Sequence, residues 1–283
     1  MTARPGPETI GDMPPDWING DPQDLRRWRD GCPEVVNPTL PGDVGVSAMA
    51  PDGDCPGGML FTPANPVGVP VVYFHGGGFI VGSPETHRVV AAWIAHVALA
   101  PVVSIRYRLA PEHPLPAQAQ DGTAAVRRQL RDHPRLRLMG DSAGALVALW
   151  AFAGLAAQER ARIVDAVLFY PGGLAMPHRT SASMDETDGL GPKSLASYQR
   201  RLDPAGIALG NPAYDPLAPG FPLPDLTVVV GADADPVFDY AQAIGGLPGA
   251  RLIVARGHGH GFLSALPAEP AMVDLHRSIG GGP

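Results

Sequence analysis

Leu136-Arg137-Leu138-Met139-Gly140-Asp141-Ser142-Ala143-Gly144-Ala145-Leu146-Val147-Ala148-Leu149-Trp150-Ala151-Phe152 is the stretch around which the rest of the chain is organised. Its first four residues are short and largely apolar, as a buried strand is. Its last eight are rich in Ala and Leu and lack proline, as a helix requires. The five between them fit Gly-x-Ser-x-Gly. Strand, sharp turn and helix in that order predict a turn that lifts the Ser142 hydroxyl clear of a sheet. The hydroxyl then stands over a helix start, where free N–H groups and the dipole favour an anion. Gly140 and Gly144 have a steric role, because backbone segments approach closely in so tight a turn and a Cβ at either position would clash. The same five-residue pattern also occurs in ordinary loops, so its meaning depends on the surrounding chain.

The bulk numbers narrow the choices. A chain of 283 residues, 45% of them hydrophobic, can bury a sizeable core as one large α/β domain or two small ones. Lys and Arg number 21 against 28 Asp and Glu, a formal net charge of −7. No basic field is present to attract nucleic acid or an anionic membrane. Two cysteines, Cys32 and Cys55, make no disulfide scaffold. Met1 to Pro14 is polar and proline-rich without the apolar centre of a signal peptide, and no apolar run is long enough to span a bilayer. The expectation is a soluble, cytoplasmic protein.

Taken in order, the chain alternates between two periodicities. Asp21, Pro22 and Gly31 bracket a short amphipathic helix at Pro22–Arg29, with Leu25 and Trp28 on one face. That face, with Trp17, either packs on the domain surface or forms part of a lid over the turn at Ser142. Strands are expected at Val44–Met49, Gly58–Thr62, Val69–Phe74, Pro101–Ile105, Leu136–Met139, Ile163–Tyr170, Leu226–Val230 and Leu252–Ala255. Helices are expected from Ser83, at Leu115–Leu130, at Ser142–Gln158, at Lys193–Leu202, at Val237–Ile244 and at Pro270–Ile279. Such alternation predicts an α/β fold with a mainly parallel, twisted sheet of about eight strands and helices on both faces. A polar, turn-rich insertion at about 172–224 interrupts it. No internal repeat or long linker divides the chain. The expected organisation is an N-terminal cap segment at 1–42 and a main domain at 43–283 carrying the cap insertion.

Acyl transfer through a serine needs a nucleophile, a base for its proton, an acid to hold that base, and donors for the oxyanion. In α/β-hydrolases the chain order is Ser, then Asp or Glu, then His. After Ser142, the strand Leu226–Val230 ends in Gly231-Ala232-Asp233-Ala234-Asp235-Pro236, and the strand Leu252–Ala255 ends in Arg256-Gly257-His258-Gly259-His260-Gly261-Phe262. Both fall at C-terminal strand ends, where α/β sheets place their sites. Spacing alone chooses neither between Asp233 and Asp235 nor between His258 and His260. His75-Gly76-Gly77-Gly78 follows the strand Val69–Phe74 directly. Gly76 and Gly77, with no Cβ, are expected to bring their N–H groups to a substrate carbonyl oxygen, with the Ala143 N–H completing the hole. A flexible turn is the plainer meaning of three glycines. Phosphate binding is disfavoured, since no Gly-x-Gly-x-x-Gly or Gly-Lys-Ser/Thr spacing is present. A metal held by His258 and His260 has no third ligand nearby in sequence.

Four stretches, His75–Phe79, Tyr107–Ala117, Gly140–Gly144 and Asp235–Asp239 with the later His260-Gly261-Phe262, make the chain from about residue 57 onward resemble the hormone-sensitive-lipase-like branch of the α/β-hydrolases. The resemblance implies the α/β-hydrolase fold and a catalytic set of Ser142, Asp235 and His260. Asp233 and Asp239 become supports, and His75, Glu112 and His113 become scaffold. It implies no metal and no organic cofactor. The N-terminal segment is short for that branch, which bears on the lid. Edge-strand dimers occur in the branch, so a homodimer is one expectation, though no residue selects it.

The function expected is that of a serine carboxylic-ester hydrolase acting through an acyl-serine on small or medium ester substrates. The same triad would also serve a biosynthetic acyltransferase, deacetylase, amidase or lactonase. A non-catalytic ligand-binding protein on the same scaffold typically lacks a triad member, whereas here all three are present.

Overall fold

A computed structural model of the chain describes residues 15–32, 39–172, 189–265 and 269–278. Its centre is an eight-stranded sheet built from β1 (Val44–Met49), β2 (Gly58–Pro63), β3 (Val71–Phe74), β4 (Val102–Ile105), β5 (Leu136–Asp141), β6 (Ile163–Phe169), β7 (Thr227–Ala232) and β8 (Ala250–Ala255). The spatial order is β1-β2-β4-β3-β5-β6-β7-β8. β1 and β2 pair antiparallel, as do β2 and β4, and every later pair is parallel. Each expected strand is present, with boundaries shifted by a residue or two.

Burial explains the composition of the strands. β3, β4 and β7 are buried along their whole length, so they read as mainly apolar, Val-rich runs. Along β3, Val72 and Phe74 enter the core on one face of the sheet, while Val71 and Tyr73 enter the core on the other. β1 at the edge is largely exposed.

The helices among the described residues are α1 (Pro22–Asp30), α2 (Arg88–Ala98), α3 (Ala117–Asp132), α4 (Ala143–Ala153), α5 (Ala157–Arg160), α6 (Pro192–Leu202), α7 (Phe238–Gly245) and α8 (Glu269–Ser278). Two differ from expectation. The helix expected from Ser83 begins at Arg88, because Ser83 and Thr86 close a turn instead: the Thr86 N–H donates to Ser83 Oγ and the Ser83 N–H to Thr86 Oγ1. The helix expected over Ser142–Gln158 stops at Ala153. Gly154 caps it, and a Cβ there would stand 2.3 Å from Thr123 Oγ1.

α4 is apolar on every side and buried from Ala143 to Phe152, as a helix enclosed by sheet and neighbouring helix must be. Gly122 on α3 allows close approach, since a Cβ there would stand 3.0 Å from Ala151 Cβ. The parallel strands point their C-terminal ends the same way, so Phe74, Asp141, Phe169, Ala232 and Ala255 end along one rim of the sheet. That rim carries the site.

Candidate active site

The turn between β5 and α4 is as tight as its glycines imply. A Cβ on Gly140 would stand 2.3 Å from the Gly144 carbonyl oxygen, and one on Gly144 would stand 2.1 Å from that of Phe74. Ser142 between them holds φ 50° and ψ −122°, a conformation side-chain-bearing residues rarely adopt. Its N–H donates to the Phe169 carbonyl at 2.9 Å. The constrained backbone stands Ser142 off the rim at the N-terminus of α4.

Asp235 and His260 arrive on the loops after β7 and β8. Those loops are joined to each other: the Ala234 N–H donates to the His258 carbonyl at 3.0 Å, and the Gly257 N–H to Asp233 Oδ1 at 2.6 Å. The joined loops place His260 Nδ1 2.8 Å from Asp235 Oδ2, and His260 Nε2 2.8 Å from Ser142 Oγ. Asp235 is buried, and its Oδ1 accepts the Val237 N–H at 2.8 Å. Tyr170, just past β6, packs edge-on against the His260 ring at 4.9 Å. His258 lies against Phe262 instead, with ring centroids 5.1 Å apart. No group of three His, Cys, Asp or Glu among the described residues could hold a metal ion, so His258 and His260 gain no third ligand there.

The glycine loop differs from expectation at one position. The Gly76 N–H donates to Asp141 Oδ1 at 2.8 Å, and a Cβ on Gly76 would stand 2.5 Å from Asp141 Oδ2. Gly76 therefore faces the carboxyl of the turn and does not line the cavity in front of Ser142. Gly77 and Gly78 do line it, together with Ala143. Both adopt positive φ, 116° and 60°, and none of the three N–H groups has an acceptor among the described residues. The oxyanion donors that fit are Gly77, Gly78 and Ala143.

Asp141, the variable position of Gly-x-Ser-x-Gly, organises a buried polar cluster behind this loop. Its Oδ1 also accepts the Tyr73 hydroxyl at 2.5 Å, and its Oδ2 accepts the Tyr170 hydroxyl at 3.5 Å. Burial raises its carboxyl above the usual range, while Tyr73, His75 and the Gly76 N–H pull it back. On the far side of the loop, His75 Nδ1 donates to the Gly76 carbonyl at 2.8 Å, so Gly76 is held by both its N–H and its C=O. His75 stacks on Tyr107 at 4.3 Å, and the Tyr107 hydroxyl donates to the His75 carbonyl at 2.6 Å. Burial pushes His75 down to about 3, and His87 likewise to about 3. His87 Nε2 lies 3.8 Å from Asp141 Oδ2, a neutral contact rather than an ion pair.

Ser142 opens into a cavity of about 810 Å³. Its outer wall comes from Trp17 in the turn before α1, Trp28 on α1, and Leu195 and Tyr198 on α6. Arg26 fixes α1 in place. It donates to both oxygens of Glu112 at 2.9 and 2.8 Å, to the Ile80 carbonyl at 2.8 Å and to the Ala110 carbonyl at 3.0 Å. The Tyr107–Ala117 stretch thus anchors α1 through Glu112, and its Leu115 N–H donates to Leu202 at the end of α6 at 2.7 Å. No described helix is long and apolar enough to cross a membrane.

The chain is similar to known proteins in sequence and in fold. A family described as having the alpha/beta hydrolase fold matches residues 71–264. Esterase LipI of Mycobacterium tuberculosis is 35% identical over 231 residues, covering 72% of this chain and 68% of that protein. Carboxylesterase NlhH of the same organism is 34% identical over 227 residues, covering 72% of this chain and 65% of that protein, just under two thirds of its length. The solved esterase of Pyrobaculum calidifontis in its monoclinic form is 25% identical and superposes with a TM-score of 0.73 over 93% of this chain and 92% of that one. With its motif order and eight-stranded sheet, the chain belongs to the α/β-hydrolase fold family, among the hormone-sensitive-lipase-like carboxylesterases.

Proposed function

We propose that the chain hydrolyses small-molecule carboxylic esters through an acyl-serine. His260 Nε2 takes the Ser142 proton as Ser142 Oγ bonds to the ester carbonyl carbon. The carbonyl oxygen becomes an oxyanion held by the N–H groups of Gly77, Gly78 and Ala143. Asp235 keeps the imidazole in the tautomer with its proton on Nδ1 and stabilises the imidazolium. The tetrahedral centre collapses, the C–O bond to the alcohol breaks, and His260 returns the proton to the leaving oxygen. Water, deprotonated by His260, repeats the sequence on the acyl-serine and releases the acid.

The observation that carries this reading is the His260 ring bridging Ser142 Oγ and Asp235 Oδ2 at 2.8 Å on each side. The net charge of −7 favours a small substrate over nucleic acid, and the buried thiol of Cys55 suits a reducing cytoplasm. The described parts of the segment before residue 43 and of the insertion at 172–224 serve as a cap, a reading supported by Trp17 and Trp28 from the first and Tyr198 from the second lining the cavity together, with Trp17 against Tyr198. Ser142→Ala tests the reading. Hydrolysis of p-nitrophenyl acetate should fall by at least about 10⁴-fold with the fold intact; a variant retaining a tenth of the rate would overturn it.

A further inference from the structure

The cavity is larger than a simple acetate or butyrate ester needs, since a volume of this order suits a drug-sized molecule. What fills the excess is read from its outer wall. Trp17 meets Trp28 edge-to-face, with ring centroids 5.6 Å apart and planes at 87°. It meets Tyr198 in the same way, at 6.3 Å and 84°. The rings come from two distant parts of the chain, yet they form one corner in which the Trp17 plane stands nearly perpendicular to each of the other two. All three are partly exposed, and all three line the cavity.

Two contacts fix where that corner stands. A Cβ on Gly78 would lie 3.1 Å from the Tyr198 ring, so the ring covers the backbone of the oxyanion loop. A Cβ on Gly189 would lie 2.8 Å from the Trp17 indole, so Trp17 is seated against bare backbone. The Ser197 hydroxyl, one residue before Tyr198, donates to the Ile18 carbonyl at 2.6 Å, tying α6 to the residue after Trp17. The corner is therefore preorganised and begins at the group that holds the ester carbonyl.

We propose that this corner is a subsite for a planar aromatic ring, and that the substrate class of the Ser142 site is esters bearing such a ring close to the carbonyl. The assignment rests on the ester-hydrolase reading. Perpendicular rings offer an entering ring a stacked neighbour and an edge-on neighbour at once. Such aromatic pairs contribute beyond the area they bury, and an alkyl group of equal size gains only the area. One added pair corresponds to roughly a fivefold preference.

The test compares ethyl phenylacetate with ethyl cyclohexylacetate, alike in size and differing in aromaticity. Their binding to Ser142→Ala is followed by tryptophan fluorescence, which does not depend on catalysis, and their hydrolysis by the unaltered enzyme is measured in parallel. Phenyl acetate and cyclohexyl acetate place the ring on the alcohol side. The expected result is a phenyl ester bound about fivefold more tightly on at least one side, with the preference abolished by either Trp17→Leu or Tyr198→Leu introduced into Ser142→Ala. Equal affinity for phenyl and cyclohexyl on both sides, or a preference that survives both substitutions, overturns the proposal. A ring preference in binding without hydrolysis of any ester would instead overturn the catalytic reading and leave the subsite standing.

Discussion

Asp141→Ala would show how the oxyanion loop is held. The Asp141 carboxyl accepts the Gly76 N–H at 2.8 Å and the Tyr73 hydroxyl at 2.5 Å, both in buried surroundings. Removing it leaves two buried donors without their acceptor, at about 1–3 kcal/mol each. Loss of the buried carboxyl's own desolvation cost offsets part of this, so about 2–4 kcal/mol remains. At roughly 2–4 °C per kcal/mol for a domain of this size, Tm should fall by about 5–15 °C. The larger effect is on turnover. With the Gly76 N–H released, the next two peptide groups lose their aim, and an oxyanion donor that is lost costs about two to three orders of magnitude. In assays with p-nitrophenyl acetate, kcat should drop about 100-fold while KM stays within about threefold, because the donors act on the transition state more than on the ground state. Asp141→Asn keeps an oxygen for Gly76 and Tyr73 and turns its amide toward Tyr170 and His87, so kcat should stay within about tenfold of the parent enzyme. An Asp141→Ala enzyme that loses Tm but keeps kcat would refute the reasoning and leave Asp141 a purely structural residue. An Asn variant as slow as the Ala variant would show that charge, not acceptor geometry, is what matters.

Two further outcomes follow from other contacts. His75 and His87 are held neutral, at about 3, against 6.5 in the unfolded chain. Below pH 6.5 the unfolded chain binds protons that the native state refuses, so their stabilisation is complete above pH 6.5 and is lost as pH falls toward 3. At pH 5 the loss is about 2 kcal/mol for each histidine, so calorimetric Tm should decline between pH 6.5 and 5, with a shallower decline in His87→Gln; an unchanged slope would contradict the assignment. Arg26→Ala removes the fork that fixes α1, and KM for a ring-bearing ester should rise about two- to tenfold with kcat unchanged; equal KM would show that α1 is held by its apolar face alone.

The architecture was legible because burial and periodicity agree in this chain. β3, β4 and β7 are buried on both faces and therefore read as mainly apolar, Val-rich runs, while α4 is buried all round and reads as one apolar helix. The strand order was not legible, since it depends on which crossovers pass which face. At the site, the residues offered as nucleophile, acid and base share a visible context of strand end, turn and glycine. What spacing left open, Asp235 against Asp233 and His260 against His258, came only from resemblance. The structure puts Asp235 and His260 within hydrogen-bond reach, and it gives Asp233 a bracing bond to Gly257. The choice of Gly76 as an oxyanion donor failed for an identifiable reason. Its partner is Asp141, whose place in Gly-x-Ser-x-Gly is variable, so no pattern announced the contact. Tyr170 was hidden similarly as the last residue of an apolar run. The aromatic corner was half visible, because Trp17 and Trp28 stand out in a short segment, whereas Tyr198 lies far away in a polar insertion.

Covalent capture of the nucleophile tests the central claim most directly. The enzyme is incubated with an alkyl p-nitrophenyl phosphonate, whose phosphorus accepts the serine oxygen and expels p-nitrophenolate, and the product is examined by peptide mass spectrometry. One phosphonyl group per chain should form on the peptide containing Ser142, with activity lost in step and no adduct in Ser142→Ala. Full inactivation with the adduct on a different residue, or ester hydrolysis that persists once Ser142 is fully labelled, would contradict it.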